Sequence, residues 1–153
     1  MKRYNALADR KNFGPFTDMF ILGATRGANG ASDFTNAGLT QDFTLLTPAA
    51  GDQMILPLAA AFTLVTFAGT GLTAVTIDVG RGAGGTEGIA AGNVLTAGAS
   101  IPAGAGAPIA FSGAQTLNVR VTAVGANLNT LTAGEIRILI ALLTVKDYVL
   151  CNA

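Results

Sequence analysis

One glycine-rich stretch comes closer than any other segment of this sequence to a known chemical motif. The residues GRGAGG at positions 80–85 match G-x-G-x-x-G, whose backbone binds dinucleotide phosphates, and they follow an alternating, strand-like segment at 73–79. That chemistry requires a helix directly afterwards, because the N–H groups at a helix N-terminus hold the pyrophosphate. The next residues, TEGIAAGN, bring two more glycines, and the first acidic residue after Glu87 is Glu135. We therefore interpret the motif as a chance match in a flexible loop.

Side chains that could support catalysis or metal binding are scarce. The sequence contains no histidine, which removes the usual general base and common metal ligands, and no tryptophan. Asp33, Asp42 and Asp52 could offer oxygen atoms to Ca²⁺, but their spacing forms no EF-hand series. The single cysteine, Cys151, allows no internal disulfide and is interpreted as an unreactive thiol. We predict that the protein is not an enzyme and binds no cofactor or metal.

Three charged residues, Asp78, Arg120 and Arg137, lie within segments that alternate as strands do. A charge on the solvent face of a sheet commonly forms a weak cross-strand ion pair. Arginine is also enriched where subunits meet, so Arg120 and Arg137 are candidate interface residues as well. We favour the first interpretation, and the second stays open.

The first 26 residues combine positive charge with aromatic rings. Five lysine and arginine side chains against two aspartates give this segment a charge of +3. An arm that binds nucleic acid is usually denser in charge and poorer in phenylalanine, whereas arginine interleaved with aromatic rings is typical of a protein interface. The alternative is that the phenylalanines cap one edge of the fold. The candidate interface residues in this segment are Arg3, Tyr4, Arg10, Lys11, Phe13, Phe16, Phe20 and Arg26.

The composition favours a protein that assembles with others. Half of the residues are hydrophobic and 12% are charged, against about 25% charged in a typical soluble domain. Such a chain cannot cover its surface with charge, so part of that surface must be small polar residues or be buried against partners. The net charge of zero predicts no attraction to nucleic acid or to a membrane. The sequence shows neither a signal peptide nor a run long enough to span a bilayer, which predicts assembly in the cytoplasm.

The character of the chain changes near residue 42. Residues 1–42 hold nine of the eighteen charged residues and five of the ten aromatic rings. We predict an N-terminal arm over 1–42 and one β-domain over 43–153. Within the arm, Arg3–Lys11 is predicted to form a short helix that ends at the breaker NFGP, and Thr17–Leu22 a short strand. The arm has too little apolar surface to fold alone, so we expect it to pack on its own domain or on a neighbour.

After residue 42 the sequence alternates with a period of two, which is typical of half-buried strands. Residues 54–68 are predicted to form two strands broken at 57–60, and glycine-rich connectors are predicted at 69–71, 80–92, 98–108 and 125–129. No amphipathic helix separates the strands, so the sheets should be antiparallel. Seven or eight strands indicate an all-β sandwich, with a jelly roll as the leading topology. The other predicted strands are Gln41–Leu46, Thr73–Val79, Thr116–Val124 and Glu135–Val145.

Two stretches carry a resemblance to a known group of proteins. LTAVTIDVG at 72–80 and LNVRVTAVGANLNTLTAGEIRI at 117–138 resemble small structural proteins of tailed bacteriophages, the β-sandwich proteins that decorate or cement a capsid. The likeness covers roughly residues 60–145 and lies in the pattern of strands and loops. It implies a homotrimer on the capsid surface that locks neighbouring major capsid protein subunits together. It assigns no role to individual residues of the arm.

Two functional classes follow from these observations. The first is a virion structural protein: a capsid decoration or cement protein that binds the outer shell, with the major capsid protein and itself as partners. The second is a head-fibre or receptor-binding β-module that recognises host surface glycans. The second class predicts exposed aromatic rings in the late loops, but Phe111 is the only aromatic residue between Gly80 and Gly134.

Overall fold

The computed structural model describes residues 1–5, 15–24, 32–49, 53–101, 109–112 and 115–145. Within these ranges the chain forms ten β-strands and one single-turn 3₁₀ helix, Leu128–Thr130. The strands are β1 (Lys2–Asn5), β2 (Asp18–Gly23), β3 (Thr40–Leu46), β4 (Gln53–Ala68), β5 (Ala74–Arg81), β6 (Ile89–Asn93), β7 (Ser100–Ile101), β8 (Ile109–Ser112), β9 (Leu117–Val124) and β10 (Ala133–Val145).

The described strands form two antiparallel sheets. Sheet A has the order β1-β2-β10-β4-β7, and β8 pairs with a further stretch of β4. Sheet B has the order β3-β9-β5-β6. The predicted all-β, antiparallel sandwich is confirmed.

One side of each sheet faces a shared core, as strands with a period of two require. Each apolar side chain that is fully buried there contributes about 1.5–3 kcal/mol relative to an exposed one. The core joins β2, β5, β9 and β10, and its fully buried members include Phe20, Leu22, Val75, Ile77, Val79, Leu117, Val119, Val121, Ile136, Ile138 and Ile140.

The structure corrects the prediction at the N-terminus. Arg3–Lys11 was expected to be helical, but residues 2–5 form strand β1, and residues 6–11 lie outside the described part of the chain. Strand β1 pairs with β2 from Lys2↔Ile21 to Asn5↔Asp18. Pairing with an existing sheet edge outweighs helix propensity in a segment this short, because a single helical turn is costly to nucleate.

The structure also corrects the prediction for residues 54–68. Instead of two strands broken at 57–60, the chain forms one strand of 16 residues, β4. The register against β10 shifts between Ala141 and Leu143, where Leu58 and Ile55 are the respective partners. This bulge includes Pro57, and a bulge accommodates the missing N–H of proline without ending the strand.

Two further features differ from the sequence-based picture. Strands β6 and β7 lie inside segments predicted to be glycine-rich connectors, at 80–92 and 98–108. The core is not confined to residues after 42, because Phe20, Leu22 and Phe34 are almost completely buried in it. Strand β2 is therefore an integral member of sheet A, between β1 and β10.

Candidate interaction surfaces

The outward side of sheet B is polar. Residues that are partners across a sheet point to the same side of it, and the buried positions of β5 and β9 define the inner side. The outward side, which we call the polar face, has the apolar pair Ala74 and Val124 at one end and otherwise carries Thr40, Asp42, Thr44, Thr76, Asp78, Asn118, Arg120 and Thr122. Thr40 and Thr122 approach each other to 3.4 Å between hydroxyl oxygens.

Arg120 is at the centre of the polar face, between carboxylates on both neighbouring strands. Its Nε donates to Asp42 Oδ1 at 2.9 Å and its terminal nitrogen to Asp42 Oδ2 at 2.8 Å, a bidentate pair. The hydrogen bond to Asp42 raises the pKa of Arg120 above its ordinary value, and the charge of Asp78 adds to this effect. Asp78 also accepts a hydrogen bond from the backbone N–H of Ala91 at 2.6 Å. These contacts therefore link four strands, β3, β9, β5 and β6, across the polar face.

The glycine-rich segment that resembled a phosphate-binding loop connects β5 to β6. No helix follows it, since β6 begins at Ile89. Glu87 turns back onto Arg81, accepting from its backbone N–H and from its Nε, both at 3.0 Å. A Cβ atom on Gly84 would overlap the Arg120 guanidinium, and Gly84 has a φ of +74°. The glycines thus allow a close-packed hairpin against the polar face.

Asn118 is a feature of the polar face that sequence reasoning missed. Its side chain is buried, and its Oδ1 has no hydrogen-bond partner among the described residues. Its sheet partners are Thr44 and Gly80. An alternating pattern marks position 118 as outward and polar, and nothing in that pattern indicates burial under a neighbouring hairpin.

The outward side of sheet A has the opposite chemistry. Leu139 of β10 lies between Met19 of β2 and Ala60 of β4, and the next row is Ile21, Arg137 and Phe62. We call this side the apolar face: Met19, Ile21, Leu58, Ala60, Phe62, Leu139, Ala141 and Leu143, with Glu135 and Arg137 among them. Leu143 is 57% exposed at one end of the face, whereas Ile21 is only 4% exposed.

Arg137 and Glu135 supply most of the charge on the apolar face. The Arg137 guanidinium lies 5.8 Å from the centre of the Phe62 ring, within the range of a cation–π contact. Its Nε lies 3.4 Å from Glu135 Oε1. The arginine is therefore held flat against the sheet instead of projecting into solvent.

A third polar cluster fastens β1 to β2 at the edge of sheet A. The carboxylate of Asp18 is buried, with a side-chain exposure of 3%. It accepts hydrogen bonds from Arg3 Nε at 3.0 Å, Asn5 Nδ2 at 3.0 Å and Thr17 Oγ1 at 2.9 Å. The Arg3 guanidinium also lies 5.7 Å from the centre of the Phe20 ring. A buried carboxylate without such partners would destabilise the fold, so this cluster stabilises the pairing of β1 with β2.

The predicted interface residues do not form a single patch. Arg3 and Tyr4 lie on β1, Arg137 on the apolar face, and Arg120 on the opposite side of the sandwich. Phe20 is fully buried in the core, so its ring offers no surface to a partner, and Phe16 is half-buried. Arg10, Lys11, Phe13 and Arg26 lie outside the described residues, as do Asp52 and Cys151.

Among the described residues no three acidic, histidine or cysteine side chains are grouped so as to hold a metal ion. Asp33 contacts the N-terminal amine and accepts from the Gly23 N–H, and Asp42 is paired with Arg120. No helix in the described part of the chain is long and apolar enough to cross a bilayer. No protein-family model, curated protein or solved structure matches this chain.

Proposed function

We propose that this protein is a virion structural protein: a capsid decoration or cement protein that binds the outer shell and bridges subunits of the major capsid protein. The observation that carries the proposal is the contrast between the two faces of the sandwich. Sheet A presents large apolar side chains outward, and sheet B presents threonines and paired charges. A sandwich of this kind is suited to lie with one side on a protein surface and the other in water.

The strand order supports a jelly roll, an architecture that viral capsid domains use. The strand pairs are nested: β5 pairs with β6, β4 with β7 and β8, β3 with β9, and β2 with β10. A long antiparallel hairpin rolled into two sheets has this nesting. In the proposal, β1 is an addition at the edge of this jelly roll.

The dimensions of sheet A are sufficient for a stable protein contact. Five strands in the order β1-β2-β10-β4-β7 are about 24 Å wide at the usual strand spacing, and the 13 residues of β10 extend for about 44 Å. Summed over the residues of its six strands, at about 3.4 Å by 4.8 Å per residue, the face covers roughly 730 Å². This is close to the area of about 800 Å² per partner in a standard interface. Because 12% of the residues are charged, few charges would have to lose their water when this face binds a partner, and the desolvation penalty would be small.

We further propose that the protein acts as a homotrimer on the capsid surface of the virion after assembly in the host cytoplasm. A closed ring gives each copy the same contacts and lets one oligomer bridge several shell subunits. The apolar area buried against the shell would stabilise the particle by about 25 cal/mol per Å² before the cost of association.

Co-purification with the particle tests this function. The protein, expressed with its shell, is expected to sediment with intact particles at a fixed ratio to the major capsid protein, and to make them more resistant to heat. Recovery only in the free fraction, with unchanged particle stability, would reject the proposal. Binding to host-cell glycans in place of the shell would instead support the head-fibre alternative.

A further inference from the structure

Strand β1 occupies a specific slot on β2. Its described strand pairing is with β2 alone, over four residues. Two of those residues, Arg3 and Asn5, are two positions apart and donate to the same carboxylate, Asp18. An occupant of this slot must therefore be an extended strand with a guanidinium and an amide at that spacing.

The fold would be destabilised if no strand occupied the slot on β2. Without β1, Asp18 would keep the Thr17 hydroxyl but lose Arg3 and Asn5. A buried carboxylate that loses its cationic partner is strongly destabilising. The outer edge of β2 would also expose unpaired N–H and C=O groups, which other strands readily join. Some strand must fill the slot, but the same contacts can come from this chain or from another copy.

The connection between β1 and β2 is long enough to permit exchange. Twelve residues, 6–17, join the paired ends Asn5 and Asp18, although two residues are sufficient for a tight hairpin. Fully extended, twelve residues reach about 40 Å. A domain of 153 residues has a radius of gyration of about 15 Å, so this reach spans about one domain diameter.

We propose that β1 is exchanged between neighbouring copies on the assembled particle, each copy placing its β1 on β2 of the next. This inference rests on the proposed function, because attachment to a shell is what would bring the copies close together. The contacts are the same within a chain and between chains, so the local concentration decides which form prevails. A connection of about this length gives an effective concentration in the millimolar range, and one neighbour within about 40 Å gives a similar value. Dilute protein keeps β1 on its own β2, and crowded copies exchange it.

Engineered cysteines test the exchange, because Tyr4 and Met19 are directly opposite each other and are both half-buried. Cys151→Ser first removes the only native thiol. Chains with Tyr4→Cys and chains with Met19→Cys are then unfolded, mixed and refolded together, concentrated from micromolar to millimolar, and oxidised. We expect disulfide-linked pairs of the two variants that increase with concentration, and the highest yield on particles. The control mixture combines Thr76→Cys with Thr122→Cys, opposite positions on the central strands β5 and β9, and should give no pairs.

The slot itself is tested by Asp18→Asn in the Met19→Cys chains alone. Their slot then lacks the charge that Arg3 pairs with, while the slot of the Tyr4→Cys chains keeps it. The β1 strands of the Tyr4→Cys chains should therefore stay on their own β2, and the yield of linked pairs should fall at least about threefold at equal protein concentration. An unchanged yield would show that Asp18 does not hold the exchanged strand. Far-ultraviolet circular dichroism confirms that each variant keeps its sheets.

Exchange is rejected if the Tyr4 and Met19 variants give no more linked pairs than the control, both at millimolar concentration and on particles. Failure of the proposed function looks different. In that case the unmodified protein does not sediment with particles, while concentrated solutions of the two cysteine variants still form linked pairs.

Discussion

The two outer faces of the sandwich differ although the strands behind them are built alike. On the polar face, β9 alternates apolar and polar residues, so Val119 and Val121 point inward while Arg120 and Thr122 point outward. On the apolar face, β10 places Ile138 and Ile140 inward but Leu139 and Ala141 outward. A sheet that faces water on one side needs only one apolar side. The second apolar side of sheet A is therefore not required for folding, and the proposed docking onto a shell would account for it.

Charge is also handled differently on the two faces. Arg120 pairs with Asp42 and lies beside Asp78, so the polar face carries its own neutralising network. Arg137 lies over an aromatic ring beside Glu135, within an otherwise apolar surface. Arginine with an aromatic neighbour and surrounding apolar side chains is the combination found at the centre of protein interfaces. In the proposed function, sheet A therefore contacts the shell and sheet B faces water.

The largest expected effect is on the apolar face. Leu139→Asp places a charge between Met19 and Ala60, where a docked partner would have to desolvate it. A central interface position of this kind is worth about 2 kcal/mol or more, so particle attachment should weaken by at least about 30-fold in a sedimentation assay. The matched control is Thr122→Asp on the polar face, which should attach normally. Equal loss in both variants, or in neither, would contradict the assignment of the two faces.

A smaller effect is expected on the unfolding free energy when either of two glycines in the β5–β6 hairpin is replaced by alanine. Gly84 and Gly82 both have positive φ, +74° and +64°, but only a Cβ on Gly84 would overlap the Arg120 guanidinium. Gly84→Ala should cost about 0.2–1 kcal/mol more unfolding free energy than Gly82→Ala, because the guanidinium of Arg120 must also move and its exposed pair with Asp42 weakens. Gly82→Ala should cost about 1 kcal/mol, from strain alone. Urea denaturation measures the difference, and equal losses would show that the hairpin is not packed against Arg120.

The polar face should tolerate loss of its central charge. Arg120→Met keeps an unbranched apolar stem but removes the bidentate pair with Asp42. Exposed pairs contribute about 0.2–1 kcal/mol, so the loss of unfolding free energy should lie in that range. The difference from the unmodified protein should shrink in about 1 M salt, where the screening length is about 3 Å. Attachment to particles should be unaffected, and a marked loss of attachment would move binding to the polar face.

The sequence was sufficient to predict the strands that alternate strictly. Residues 73–79 correspond to β5, 116–124 to β9 and 135–145 to β10, each within one or two residues of the observed bounds. β-Branched residues and a two-residue period are local properties, which explains this success. Strands β6 and β7 were not predicted, because alanine, glycine and serine have little β-propensity. Backbone pairing with β5 and β4 defines these two strands.

The candidate surfaces were only partly predictable, because they depend on register. Arg120 and Asp78 were recognisable as charges within strands, but Asp42 is 78 residues from Arg120 in sequence. Likewise, the sequence around Phe20 is compatible with an interface anchor or with a cap on one edge of the fold, whereas pairing of β2 with β10 turns its ring into the core. The spacing of phenylalanines in a short segment does not reveal on which face of a sheet each ring will lie.

The smallest expected effect concerns pH and the end of the β5–β6 hairpin. Burial by itself raises the pKa of Glu87, but hydrogen bonds from the backbone N–H groups of Glu87 and Arg81, with the Arg81 guanidinium, outweigh it and hold the pKa below 4.5. A carboxyl with a lower pKa in the folded state stabilises the fold at pH values above its unfolded pKa. This contribution is lost as the pH falls through the folded value. Because the side chain is exposed, the contribution is a few tenths of a kcal/mol.

Glu87→Gln makes this pH dependence measurable, since glutamine keeps the size of the side chain but cannot ionise. The unfolding free energies of the two proteins should differ by a few tenths of a kcal/mol at pH 6, where Glu87 is charged in both states. As the pH falls through the lowered pKa of Glu87, the difference should shrink, because a protonated Glu87 loses its ionic contact with Arg81. Urea denaturation at pH 6 and pH 3 measures both values. A difference that stays the same at the two pH values would mean that the Glu87 charge does not hold the hairpin.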